Sequence, residues 1–240
     1  MSEYLYILTG RVIPERAVVD ICEVAFKVPV SEDVPEGDLF IQIIKSQIFV
    51  RFLASGEVRN IFTLRNIVED ATRMLLDVIG YLNGYGYDVE IIQAVQPNTG
   101  EKYVFGIDVP VLAGVCEKDG ITYSDIFMAL SKTDGYYLRR ALADVREAMK
   151  SPMDTGFFCY RAIESLKNCY AKRSGLKPDD AQADAQAWEL FRNKYSVPKQ
   201  EILGIKTFAD PVRHGNYPQA KPLTDKDRAD VFKKTWEIIN

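Results

Sequence analysis

The sequence predicts an α+β protein with a sheet-forming first half and an all-helical second half. The first half carries six short segments rich in β-branched and aromatic residues, which favour strands. Between the fourth and fifth segments, apolar residues recur every three or four positions, as in a long amphipathic helix. After about Val115 only the helical spacing remains. We therefore expect residues 1–115 to form one domain and residues 116–240 another.

In the first half, the predicted order is four strands, one helix and two strands. Asn83-Gly84 is a typical helix end, and Pro97-Asn98-Thr99-Gly100 is a typical turn between the last two strands. This order indicates an antiparallel or mixed sheet with the long helix laid across one face. The predicted strands are 4–8, 18–28, 39–44, 48–53, 89–95 and 103–109, and the predicted helix is 64–82.

In the second half, start and stop signals divide the chain into about five helices. We expect Ser124 to cap a short helix and Ser151-Pro152 to start a longer one that ends near Gly175. Thr224-x-x-Asp227 is a capping-box pattern at the start of the last helix. Short connections between helices predict an antiparallel bundle.

Composition narrows the class of protein. A hydrophobic fraction of 47% and a charged fraction of 27% are ordinary for a soluble globular chain of 240 residues. No apolar run approaches the ~20 residues of a membrane span, and the N-terminus does not resemble a secretory signal. The four cysteines form no CxxC, and a single histidine offers no zinc set. We expect a cytoplasmic protein with free thiols, no membrane contact, no metal and no cofactor.

Charge is distributed unevenly between the two halves. Residues 1–115 carry 9 Lys and Arg against 16 Asp and Glu, whereas residues 116–240 carry 21 against 18. A polyanionic partner would therefore be expected to meet the second half. A solvated surface of mixed charge explains the same balance equally well.

The most informative stretch is FADPVRHGNY at residues 208–217. It contains His214, the only histidine of the chain, preceded directly by Arg213 and followed by Gly215. Because the unperturbed pKa of histidine lies near neutrality, His214 is a candidate for proton transfer. The alternative is that His214 simply ends a helix at the stop signal Gly215.

A second candidate group lies on the helix that follows Ser151. At about 100° per residue, Arg161, Glu164 and Asn168 gather on the face opposite the apolar one. Arg161 could project a guanidinium towards a phosphate. The alternative is a surface ion pair between Arg161 and Glu164 that contributes little to stability.

These patterns together resemble the HEPN family over roughly residues 133–240. The resemblance rests on a helix carrying Arg-Ala-Ile-Glu at 161–164, two more helices, Asp-Pro-x-x-His-Gly at 210–215 and a closing helix. It implies an up-and-down helical bundle that forms a homodimer. Many members are metal-independent endoribonucleases of toxin–antitoxin, CRISPR-linked and phage-defence systems, whereas others are inactive dimerisation or RNA-associated modules.

Carried onto this chain, the family motif places its histidine on His214 and its polar residue on Asp210. The arginine of the motif falls on Ala209, so the nearest guanidinium is that of Arg213. The resemblance then implies that His214 acts as general base or acid and that Arg213 holds the phosphate. The residues expected to support them are Asp210, Arg161, Glu164 and Asn216.

Two functional hypotheses follow. In the first, the chain is a HEPN-like, metal-independent endoribonuclease whose first half recognises a trigger or positions the RNA. In the second, it is a catalytically inactive HEPN-like module that dimerises and partners another effector, with the first half as a sensor or partner-binding domain. Ala209 favours the second hypothesis, whereas His214, Asp210 and the basic balance of this half favour the first.

Overall fold

The chain forms two compact units. The computed structural model describes residues 4–106, 109–176, 181–216 and 223–239. The units are Met1–Gly106 and Ile107–Asn240, so the division falls nine residues before the boundary that we placed at residue 115. The segment 109–115 therefore belongs with the helices and not with the sheet. Part of the last predicted strand, at 107 and 108, lies outside the described residues.

The first unit is a six-stranded sheet with one long helix, in the predicted sequence order. All neighbouring strands pair antiparallel, which decides between the antiparallel and mixed alternatives. The spatial order is β2-β3-β4-β1-β5-β6. The elements are β1 Tyr4–Ile13, β2 Ile21–Val28, β3 Gly37–Ile44, β4 Gln47–Ala54, α1 Ile61–Asn83, β5 Asp88–Gln96 and β6 Glu101–Val104.

The second strand begins later than its apolar alternation predicts. Val18 adopts a left-handed backbone with φ 36° directly after the 3-10 turn Glu15–Ala17, so the chain is not yet extended there. The side chain of Val18 is consequently 62% exposed. Alternation in the sequence shows which residues suit a strand, but it does not show where a preceding turn displaces them.

The core of the first unit lies between the sheet and α1. Alternate residues of β3 and β4 are buried, as expected for strands with one covered face. The side chain of Asn60 caps α1 by accepting bonds from the amides of Phe62 and Thr63, and Gly84 ends the helix at φ 68°. The fully buried side chains include Leu8, Leu39, Ile41, Phe52, Leu64, Val68 and Leu76.

The second unit consists of helices, five of which have fifteen residues or more within its described part. This agrees with the predicted number. The helices are α2 Val115–Lys118, α3 Tyr123–Leu130, α4 Gly135–Lys150, α5 Thr155–Arg173, α6 Ala181–Tyr195, α7 Lys199–Arg213 and α8 Asp225–Ile239. Across the described residues of the whole chain, no helix combines the length and apolarity that crossing a bilayer requires.

Two of the predicted helix starts are wrong. Thr122, not Ser124, caps α3: its hydroxyl accepts from the amide of Asp125, and the Asp125 carboxylate accepts from the amide of Thr122 at 2.9 Å. Ser151 ends α4 instead of starting α5, because its amide donates to the carbonyl of Glu147. In contrast, the amide of Asp227 donates to Thr224 Oγ1 at 3.1 Å, so the cap predicted for α8 is confirmed.

Helix α5 is the centre of the bundle, since it packs against α4, α6, α7 and α8. Its buried side chains meet those of α7 and α8 in one core that includes Ile163, Ile205 and Phe232. Arg228 of α8 is buried as well. It donates from Nε to Thr155 Oγ1 at 2.9 Å and from Nη2 to the carbonyl of Ala148 at 3.1 Å, which joins α8 to the α4–α5 corner.

Helices α5 and α7 approach each other closely at Gly156. A Cβ added to Gly156 would lie 2.5 Å from Phe208 Cβ and 3.2 Å from the Phe208 carbonyl carbon. Neither atom can move without moving the α7 backbone. Glycine is therefore required at this position by the separation of the two helices. Gly204, also on α7, has nothing within 4 Å of the equivalent position.

We expect Gly156→Ala to lower the free energy of unfolding by about 1–3 kcal/mol, because the added methyl overpacks the α5–α7 contact. Gly204→Ala is the matched control. It should raise the free energy of unfolding by up to about 1 kcal/mol, since alanine restricts the unfolded chain and favours the helix. Urea denaturation measures both variants. Equal effects from the two substitutions would contradict the predicted close contact.

Candidate functional site

An open cleft lies between the start of α5 and the end of α7. Its volume is about 480 Å³, and we call it the α5–α7 cleft. Arg161 comes from α5 and Arg213 from α7, so two guanidinium groups on different helices border one space. The full lining is Asp154, Phe157, Phe158, Arg161, Glu164, Val212 and Arg213.

Arg161 is held in place by α4 and by two aromatic rings. Its Nη2 donates to Asp144 Oδ1, and Asp144 is only 1% exposed. Its guanidinium carbon lies 5.1 Å from the ring centroid of Phe157 and 4.9 Å from that of Phe158, within cation–π range. The side chain is therefore oriented before any ligand arrives. Its ion pair is with Asp144 and not with Glu164, which corrects the surface pair that we considered.

Glu164 instead faces the end of α7. Arg213 Nη1 lies 3.5 Å from Glu164 Oε1, a contact longer than a strong ionic hydrogen bond. Burial raises the pKa of Glu164 from its ordinary value of 4.5, and the positive charge of Arg213 opposes this rise only in part. Arg213 remains 47% exposed, so solvent or a ligand can reach it.

Three polar atoms near the cleft are buried without a hydrogen-bond partner among the described residues. They are Asp144 Oδ2, Arg161 Nε and Asp210 Oδ1. Such atoms are uncommon in folded proteins, because each forfeits its bonds to water. The other carboxylate oxygen of Asp210 lies 3.8 Å from Lys206 Nζ, and Asp210 does not line the cleft.

His214 follows Arg213 at the end of α7. Its amide donates to the carbonyl of Asp210 at 3.0 Å, and Gly215 adopts φ 66° directly after it. His214 therefore ends α7 at the stop signal Gly215, as in the alternative to a catalytic role. Its side chain is also exposed to solvent. His214 and Asn216 do not belong to the lining of the cleft, although they directly follow a residue that does.

The position that the HEPN resemblance gives to arginine is occupied by Ala209, which is completely buried. An arginine there would place a charge in the bundle core. Arg213 lies four residues further, on nearly the same side of α7 but at its open end. Arg213 is thus the arginine of α7 that borders the cleft.

Of the six residues predicted from the sequence, the structure brings Arg161, Glu164 and Arg213 together, and it leaves Asp210, His214 and Asn216 outside the cleft lining. Asp144, Phe157 and Phe158 were not among the predicted residues. Asp144 was detectable in principle, because it lies at helical spacing between the buried Ala141 and Ala148. An acid on such an apolar face requires a cationic partner.

No group of three or more His, Cys, Asp and Glu side chains suited to a metal ion occurs within the described ranges. The four cysteines, all within the described residues, form no disulfide: Cys22 is exposed, Cys116 is half-buried, and Cys159 and Cys169 are buried. Burial raises the pKa of the Cys159 thiol to about 12, which keeps it protonated and unreactive at neutral pH.

Two family models match the chain in order. The N-terminal domain of a family described as a domain of unknown function (DUF8168) matches residues 6–105, and the C-terminal domain of DUF8168 matches residues 123–240. These ranges fall within the two compact units. No curated protein and no solved structure gives a significant match.

The raised pKa of Glu164 predicts a pH dependence of stability. Because the folded chain keeps this proton to higher pH than the unfolded chain, the free energy of unfolding falls as the pH rises from about 4.5 through the folded pKa. Glu164→Gln should lack this fall. Arg213→Gln should extend it to higher pH, since the opposing positive charge is removed. Urea denaturation at a series of pH values measures all three chains, and parallel curves would contradict the prediction.

Proposed function

We propose that the second unit of this chain, which matches the C-terminal domain of DUF8168, is a HEPN-like RNA-associated bundle that binds the RNA backbone in the α5–α7 cleft. One observation carries the proposal: Arg161 and Arg213, from two different helices, border the same open space. The net positive charge of residues 116–240 agrees with a polyanionic ligand.

The chemistry of the two arginines suits a phosphodiester. A guanidinium presents several N–H donors in a planar fork that matches two phosphate oxygens. Arg161 is already oriented by Asp144, so little side-chain entropy is lost when it binds. The long contact between Arg213 and Glu164 can be exchanged for a phosphate without leaving a strong bond unmade. Phe157 and Phe158 add apolar surface on which a base can pack.

In its enzymatic form, this proposal gives a metal-independent endoribonuclease. The RNA 2′-oxygen attacks the adjacent phosphorus while His214 accepts the proton of the 2′-hydroxyl. The bond from phosphorus to the 5′-oxygen breaks, and that oxygen takes up a proton, which leaves a 2′,3′-cyclic phosphate and a 5′-hydroxyl. Arg213 stabilises the negative charge that develops on the phosphorus oxygens. The exposure of His214 beside Arg213 supports this assignment.

The second candidate is an inactive HEPN-like module that forms a homodimer through the bundle and partners another effector. The complete burial of Ala209 favours it, since the arginine of the family motif has no counterpart at that position. Tyr123, Phe127 and Met128 of α3 expose large apolar surfaces, which favours a protein contact by the same unit. The first unit would then serve as the sensor or partner-binding domain.

The first candidate is tested with labelled single-stranded RNA in EDTA. We expect wild type to bind and cleave it, and Arg213→Gln to bind about tenfold more weakly. His214→Ala should bind RNA as wild type does and cleave it at least about 100-fold more slowly. Lys226→Gln, an exposed charge on α8, is the control and should match wild type. Equal cleavage by wild type and His214→Ala would remove the catalytic assignment, and equal binding by Arg213→Gln would remove the cleft.

The second candidate is tested by multi-angle light scattering of wild type and Phe127→Asp. We expect wild type to have twice the mass of one chain. Phe127→Asp should be monomeric, because burying a carboxylate in an apolar contact is unfavourable. Wild type at the mass of a single chain would contradict dimerisation. A dimer that survives in Phe127→Asp would show that α3 is not the contact.

A further inference from the structure

A second cleft lies between α6 and α7. It is about 360 Å³ in volume, and we call it the α6–α7 cleft. Arg192 comes from α6, and Lys199 and Lys206 come from α7. Trp188 and Tyr160 also line the cleft, with ring centroids 6.0 Å apart and planes 21° apart. Because Tyr160 is only 6% exposed, Trp188 is the ring that a base can reach. Basic and aromatic side chains together are the composition of single-stranded nucleic-acid sites.

The charge of this cleft is positive even when its acid is included. Asp184 also lines it, but Lys167 Nζ donates to Asp184 Oδ1, and Lys167 is 5% exposed. That buried lysine neutralises the aspartate. Lys206 Nζ also lies 3.8 Å from Asp210 Oδ2, and this contact is weak because both side chains are partly exposed. Arg192 and Lys199 therefore contribute a net positive charge to the cleft.

The cations that α7 contributes to the two clefts lie on one side of the helix. Lys199, Lys206 and Arg213 recur every seven residues, and seven residues return to within about 20° of the same direction on an α-helix. At a rise of 1.5 Å per residue, neighbouring cations are about 10 Å apart and the stripe is about 21 Å long. Lys199 and Lys206 border the α6–α7 cleft, whereas Arg213 borders the α5–α7 cleft.

We propose that single-stranded RNA lies along α7, with one phosphate in the α5–α7 cleft and another in the α6–α7 cleft. The inference rests on the proposed RNA association and adds a second binding subsite and a substrate class to it. A single strand fits because its unpaired bases can pack on Phe157 and Phe158 in one cleft and on Trp188 in the other, whereas the bases of a duplex are already stacked on one another.

The test is the salt dependence of binding to a uridylate oligomer of about 12 nucleotides, measured by fluorescence anisotropy. Arg192→Gln with Lys199→Gln removes two cations that border the phosphate of the α6–α7 cleft. We expect affinity to fall about tenfold and the slope of log K against log salt to shrink by about 0.7, the value for one phosphate of a single strand. Lys226→Gln with Lys233→Gln removes two exposed charges of α8 that line neither cleft, and it should retain the wild-type slope.

The outcomes separate this inference from the function on which it rests. Suppose that wild type binds the oligomer and Arg213→Gln binds it more weakly, but the Arg192 and Lys199 double variant binds as the α8 control does. Only the second subsite is then refuted. If wild type does not bind the oligomer even at low salt, the proposed RNA association and the path along α7 are both refuted. Equal binding of a matched RNA duplex would overturn the assignment to single strands.

Discussion

The close packing of α5 and α7 at Gly156 and Phe208 determines how the two helices that carry the candidate site meet. At the start of α5, the backbone of Gly156 lies so close to the side chain of Phe208 that no Cβ fits at this position. The end of α7 is thereby brought to the face of α5 that carries Arg161 and Glu164. A larger separation would spread the two arginines and open the cleft. One glycine thus links the packing of the bundle to the geometry of its candidate site.

Electrostatics around the cleft distinguish two kinds of arginine. Arg161 is bound to the buried Asp144 and lies against two phenylalanine rings, so it is a fixed element of the site. Arg213 Nη1 lies 3.5 Å from Glu164 Oε1, and the Arg213 side chain is about half exposed, so it is held less firmly than Arg161. Burial disfavours the charged form of Glu164, and a charged Glu164 would partly cancel the positive charge of the two arginines.

The sequence was sufficient for the architecture because periodicity is a local property of the chain. Helix α1, the six strands and the five long helices all follow from apolar spacing and from residues such as Gly84 and Thr224. The residues that begin and end individual helices were harder to predict. Thr122 caps α3 although Ser124 also has a suitable side chain, and Ser151 ends α4 although it could have begun α5. Both serines have suitable side chains, so only the path of the backbone decides.

The site was predictable only where its residues lie on one helix or follow a recognised motif. Arg161 and Glu164 share α5, whereas the pairing of Arg161 with Asp144 joins two helices and depends on how they pack. A single sequence contains no direct signal for such a contact. Photo-crosslinking of single-stranded RNA to the full chain, followed by peptide mapping, tests most directly whether RNA lies in the α5–α7 cleft. We expect crosslinks at Phe157 and Phe158 whose yield at subsaturating RNA falls about tenfold in Arg213→Gln. Crosslinks confined to the sheet of the first unit would contradict this placement.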